Sequence, residues 1–188
     1  MSRRVKGTLF VDYVRMIRSQ KSVDWSKHLS RDDVGYLKFR ILPDAWYPME
    51  SFERMGLAIL AETHPELDTI KLWGRTQIDW LSHVHPDLVV PGDAIDTLMR
   101  FKVLRASFFD FEAIEIIQIS EGEAVIGISY GMSAPAEEAA SNQTLGFFER
   151  LLECAGATEV QAWFSAKAWE GQPETTLQLR WTPGSTPS

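Results

Sequence analysis

Cysteine is almost missing: Cys154 stands alone among 188 residues. An internal disulfide is therefore impossible, a cysteine-built zinc site is excluded, and a reducing, cytoplasmic compartment is expected. Long apolar runs are missing as well. No uncharged apolar stretch approaches the roughly 20 residues that a membrane helix needs, and MSRRVKGTLFVDYVR breaks its apolar run with Asp12 and Arg15. Neither a signal peptide nor a membrane partner is expected. The chain also lacks a Gly-rich phosphate loop, a serine nucleophile elbow and a His-Glu-x-x-His helix, the signatures of nucleotide, acyl-transfer and zinc-hydrolase chemistry. Glu137 and Glu138 are adjacent, so on a helix they point about 100° apart and make a poor acid–base pair. The reading that remains favours a protein that is not an enzyme.

Basic excess is also lacking over most of the chain. The formal net charge is -7, but residues 1–40 carry ten Lys or Arg against four Asp, and the remainder carries nine against twenty-two acids. An acidic body argues against nucleic acid as the partner, because phosphate binding needs a basic face. The basic N-terminal region reads either as ordinary solvated helix faces or as a face for an acidic surface, the chain's own body included.

Aromatic residues are plentiful, with seven Trp, ten Phe and four Tyr. Leu9, Phe10, Tyr13, Val14 and Ile17 recur at helical spacing and predict a helix over 6–20. Ser22–Leu29 reads as a short helix or turn, and Ser30 with Asp33 reads as a capping arrangement that opens a second helix ending near Arg40. LPDAWYP then forms a short, stiff connection, because Pro43 and Pro48 disfavour helix at the residues before them. Helices follow over 48–62 and from Glu66 to just before Pro86, the latter with a potential break at Gly74. His64-Pro65-Glu66-Leu67 and His85-Pro86-Asp87-Leu88 look alike because Pro and an acid each suit a helix start. Asp93 caps another helix.

The clearest pattern lies after residue 106. Strands are expected near 110–119 and 124–132 around the turn at Glu121-Gly122-Glu123. SAPAEEAASNQ reads as a loop leading into a helix that Gly156 stops, and a second hairpin spans 159–169 and 175–181. The sequence thus predicts an α+β fold, a helical N-terminal part packed on a mostly antiparallel sheet built from two hairpins with a helix between them. One domain over 1–182 is expected, with a helical subregion 1–106, a hairpin-helix-hairpin subregion 107–182 and a disordered tail 183–188.

VHPDLVVPGDAIDTLMRFKVLRASFFDFEAIEI, the SYGM strand, LGFFERLLECAG and the final hairpin ending in Trp181 resemble an uncharacterised family of bacterial paralogues. That family is related to the haem nitric-oxide-binding-like and 4-vinyl-reductase-like ligand-binding domains, and KGTLF and LPDAWYP extend the resemblance over nearly the whole chain. The resemblance implies the haem nitric-oxide-binding-like fold. The haem-binding branch attaches iron through a helical histidine and holds the propionates with a Tyr-x-Ser-x-Arg motif. Here DAIDTLMRFKVLRASFF has no histidine, and Tyr130-Gly131-Met132-Ser133-Ala134 displaces the serine and lacks the arginine. No cofactor is therefore expected, haem included. His83 and His85 are the alternative source of an axial ligand, and as a pair one residue apart they could share a metal in an extended segment; no metal is expected.

The leading expectation is a sensory or adaptor domain that binds a small, largely apolar ligand and signals to a protein partner. Trp46, Tyr47, Trp80 and Tyr130 are the ligand-binding candidates, being aromatics outside the clear strand pattern or at its exit. A ligand-free interaction or dimerisation module is the second reading, and a haem or metal sensor the third.

Overall fold

A computed structural model describes residues 3–184, so the part of the expected tail from residue 185 lies outside the described residues. The chain divides into two compact units, Met1–Pro65 with Ala106–Glu112 and Glu66–Arg105 with Ala113–Ser188. The division does not follow the change from helices to sheet, because the helices between Leu67 and Leu104 belong with the sheet.

In the first unit β1 (Arg4–Lys6) leads directly into α1 (Gly7–Ser19), a 3-10 turn spans Trp25–Lys27, and α2 (Arg31–Tyr36) follows. Next come β2 (Trp46–Pro48) and α3 (Met49–Thr63). The predicted capping box is present: Ser30 Oγ accepts the Asp33 N–H at 3.2 Å, and the Asp33 carboxylate accepts the Ser30 N–H at 3.1 Å. α2 nevertheless stops at Tyr36 rather than near Arg40. The Arg18 guanidinium takes the carbonyls of Tyr36, Leu37 and Phe39, which draws that segment into a turn.

The stiff connection proves to be a strand. β2 pairs antiparallel with β1, Val5 opposite Tyr47, and on the other side of β1 the Lys6 N–H donates to the Phe108 carbonyl at 2.8 Å. Phe10, Val14 and Ile17 of α1 and Phe52, Met55 and Ile59 of α3 are buried. They repeat every three or four residues, which is why both helices turn one face inward.

In the second unit α4 (Leu67–Val84) and α5 (Ala94–Leu104) precede β3 (Ile114–Ser120), β4 (Glu123–Ile128), α6 (Ala134–Cys154), β5 (Thr158–Ala166) and β6 (Thr175–Thr182). The sheet order is β3-β4-β6-β5 and all pairs are antiparallel. Ile116, Ile126, Leu177 and Leu179 of the sheet and Leu145, Phe148 and Leu152 of α6 are buried. The α+β prediction with two hairpins flanking a helix is borne out.

Two details differ from the sequence reading. α6 begins at Ala134, so SAPAEEAASNQ is mostly helix: Pro135 sits in its first turn, and Ala136, Ala140 and Ser141 are buried. α4 runs unbroken through Gly74, where a Cβ would stand 1.8 Å from the Gln143 carbonyl oxygen of α6. No helix among the described residues is long and apolar enough to cross a membrane.

Candidate functional site

The aromatic candidates of the first unit lie side by side on β2. Tyr47 stacks on Phe10 with ring centroids 4.5 Å apart, meets Tyr36 edge-on, and accepts the Leu42 N–H at its hydroxyl, 2.9 Å away. It is held by the core of its unit. Trp46 points the other way, with Lys6 Nζ 4.5 Å and the Arg4 guanidinium carbon 5.8 Å from its ring centroid. Arg4 is in turn tied to Asp110 at 2.7 Å, so the electron-rich indole face meets two cations.

Tyr130 belongs to the second unit, in the loop from β4 to α6. Thr144 spends its hydroxyl proton on the Ala140 carbonyl at 2.8 Å, so the buried Tyr130 hydroxyl donates to Thr144 Oγ1 at 2.6 Å. Sequence reasoning missed the residue that organises this loop. Glu137, in the first turn of α6 and only 3% exposed, accepts the N–H groups of Tyr130 at 3.1 Å and Met132 at 2.9 Å. One carboxylate thereby satisfies two backbone donors that the strand has released. The available signal was an acid just inside a helix start, where the macrodipole also favours it.

A cavity of about 160 Å³ beside this loop is lined by Ile128, Met132, Glu137, Trp169 and Pro173. It is smaller than the roughly 300–1,000 Å³ of most ligand pockets.

Trp80 lies on α4, 44% exposed, and Val84, one turn on, is 46% exposed. His83 is exposed in the last turn of the same helix, three residues from Trp80 and so on the same side. His85 caps the helix, its N–H donating to the Leu81 carbonyl at 2.8 Å. The extended spacing by which the two imidazoles would share one face is thus not formed, because the helix continues through Val84. Trp80, His83 and Val84 are brought together, whereas Tyr130 is buried against α6.

Other donors are less suited to a metal. Burial pushes the Cys154 thiol up, and the nearby Arg150 only partly offsets this, so it stays protonated near neutral pH. Among the described residues no three His, Cys, Asp or Glu converge. A group that brings its own in-plane ligands and asks the protein for one imidazole and an apolar face is the kind that this donor set suits.

No family model matches the chain and no curated protein matches it. Solved structures do. An H-NOX protein from S. oneidensis in the Fe(II) ligation state aligns with a TM-score of 0.65 at 14% identity over 96% of this chain and 98% of its own. An oxygen-binding H-NOX domain related to soluble guanylate cyclases, in its oxygen complex, gives 0.62 at 13% identity over 97% and 98%. A structure described as probing haem distortion in the H-NOX family gives 0.63 at 12% identity over 97% and 98%.

These structures correct the expectation of no cofactor, since Fe(II) or haem is named for relatives of the same fold. That expectation rested on two residues, a missing histidine before the first hairpin and a missing arginine after Tyr130. His83 and His85 leave other imidazoles in the same unit, so the two absences do not by themselves exclude the group. The likeness in turn bears out the fold that the resemblance implied: the chain has the H-NOX fold.

Proposed function

We propose that this chain is a sensory domain that binds haem and, through it or beside it, a small and largely apolar ligand, and that it passes occupancy to a protein partner. The likeness to H-NOX structures over nearly the whole chain carries this reading. The donor set supports it. His83, in the last turn of α4 with Trp80 and Val84 exposed beside it, offers an imidazole flanked by apolar surface, and His85 one step on offers a second.

When bound, a haem supplies an iron centre for a diatomic or other small ligand. The chain would offer His83 or His85 as the imidazole and the side chains of Trp80 and Val84 as apolar contact surface. Trp80, on α4 beside His83, is the proposed aromatic contact, in line with the preference of ligand sites for aromatic lining.

The test is an absorbance scan of protein reconstituted with hemin, with His83→Ala, His85→Ala and the double variant alongside. A Soret band that the double variant loses is the expected result. Absence of a Soret band from the reconstituted wild-type chain, or a band unchanged in the double variant, overturns the assignment.

A further inference from the structure

Residues 36–42 of the first unit present a feature that its core does not explain. Phe39 is 70% exposed and Leu42 is 55% exposed, the two large apolar side chains of that unit left in solvent among the described residues. The exposure is fixed by the fold. Arg18 Nε donates to the Leu37 carbonyl at 3.0 Å, and its Nη2 donates to the carbonyls of Tyr36 and Phe39 at 3.2 and 2.5 Å. The backbone beneath Phe39 is therefore held by a charged fork instead of being left to fold inward.

The start of α2 is equally fixed. The Ser30–Asp33 capping box starts α2, and Arg54 clamps the Asp33 carboxylate at 2.6 and 3.1 Å. Along α2 and the segment after it lies an open groove of about 890 Å³ lined by Leu29, Arg31, Val34, Tyr36, Lys38 and Phe39. Asp32 is the one acid among its lining residues. Arg31 and Lys38 are exposed, as is Arg40 between Phe39 and Leu42, within the segment 1–40 that carries ten cations against four acids.

An apolar groove with a cationic rim is complementary to a segment that is apolar on one side and acidic on the other. We propose that this groove docks an acidic amphipathic segment of a partner protein. An apolar side chain of that segment would pack on Phe39 and Tyr36, and its carboxylates would face Lys38, Arg40 and Arg31. The proposal gives a surface to the partner named in the functional reading and rests on that part of it alone. The haem assignment can fail without affecting the groove, and the groove can fail without affecting the Soret band.

The test uses the whole chain and fluorescence anisotropy of a synthetic helical peptide with Glu on its polar face and Leu and Phe on its apolar face. A twin peptide with Lys for every Glu is run in parallel. The acidic peptide is expected to bind. Phe39→Ala or Lys38→Glu with Arg40→Glu should each weaken it by about 10-fold or more, and raising salt from about 50 to 300 mM should weaken it several-fold. Lys167→Glu, a charge reversal on the second unit, should leave it unchanged. Phe39, Lys38 and Arg40 are all exposed, so thermal melts of the groove variants should match the wild type.

No binding of the acidic peptide at millimolar concentration overturns the proposal, as does equal binding of the lysine twin. Cosedimentation of the chain with phosphatidylserine vesicles without peptide binding reassigns the face to a lipid surface. Self-association that Phe39→Ala abolishes reassigns it to a second copy of the chain.

Discussion

Asp33 is buried, yet its carboxylate serves both ends of one network: it completes the α2 capping box through Ser30 and pairs with Arg54 at 2.6 Å. Burial alone would raise its pKa, but hydrogen bonds from Arg54 and Ser30 outweigh it and hold the group at about 2. A folded value below the ordinary unfolded value of about 3.9 means stability that is present above pH 4 and lost as pH falls toward 2. Because Arg54 keeps one foot in solvent, the contribution is about 1–2 kcal/mol rather than the full equivalent of the shift. Urea midpoints between pH 2 and 6 should therefore fall more steeply for the wild type than for Asp33→Asn. At pH 7 the variant should be less stable by roughly that amount; parallel curves would refute the network.

A second residue to test is Glu137. Its replacement by Ala strands the N–H groups of Tyr130 and Met132, at a cost of about 2–3 kcal/mol for buried donors. Tyr130→Phe leaves Thr144 still bonded to Ala140 and should cost only about 1 kcal/mol. Equal losses in the two variants, measured by chemical denaturation, would show that the carboxylate does not hold the loop.

At the scale of elements, the crossing of α4 and α6 depends on two glycines. A Cβ at Gly74 would lie 1.8 Å from the Gln143 carbonyl oxygen and one at Gly146 would lie 2.1 Å from that of Lys71. Both obstacles are backbone and cannot rotate away. Gly74→Ala and Gly146→Ala must separate the helices, so each should destabilise by about 3 kcal/mol or more. Gly35 in α2 is the matched control: nothing lies within 4 Å of its would-be Cβ, so Gly35→Ala should stabilise by about 0.4–1 kcal/mol through the unfolded chain. Thermal melts showing similar changes at all three positions would contradict the close crossing.

The same glycine shows why the sequence was only partly legible. Viewed alone, Gly74 is a helix weakener, and its reason lies in a helix some seventy positions downstream. α1, α3 and α5 were legible because their apolar residues repeat locally, and the starts of α3 and α5 carry Pro48 and the Asp93 cap. β1 and β2 were not legible. Each has three residues, and their pairing and the bridge from Val5 to Phe109 are long-range hydrogen bonds without a local pattern. The start of α6 was hidden because Ala136, Ala140 and Ser141 are small, so their burial comes from close approach and leaves a weak apolar stripe. Of the candidates, Trp80 was named as an aromatic outside the strand pattern and His83 for its pairing with His85, and the helix sets Trp80 and His83 on one side of α4. The role of Glu137 could not, because its partners lie in a loop whose path the sequence does not specify.

At the scale of the whole molecule, one measurement joins the fold to the proposed function. A group that binds the folded chain and not the unfolded one adds RT ln(1 + [L]/Kd), about 2.7 kcal/mol when free ligand is 100 times Kd. For a chain of 188 residues, each kcal/mol moves the melting temperature by roughly 2–4 °C. Hemin at that concentration should therefore raise the melting temperature of the wild type by about 5–10 °C. Removing both imidazoles of α4 in His83→Ala/His85→Ala should abolish the rise while leaving the ligand-free melt within a degree or two, since His83 is exposed and the cap at His85 is made by its backbone N–H. Gly35→Ala, which leaves all four histidines in place, should keep the full rise above its own higher baseline. A hemin shift that persists in the double variant would place the axial ligand elsewhere in the chain, and a shift absent from all three would remove haem from the function while leaving the H-NOX architecture intact.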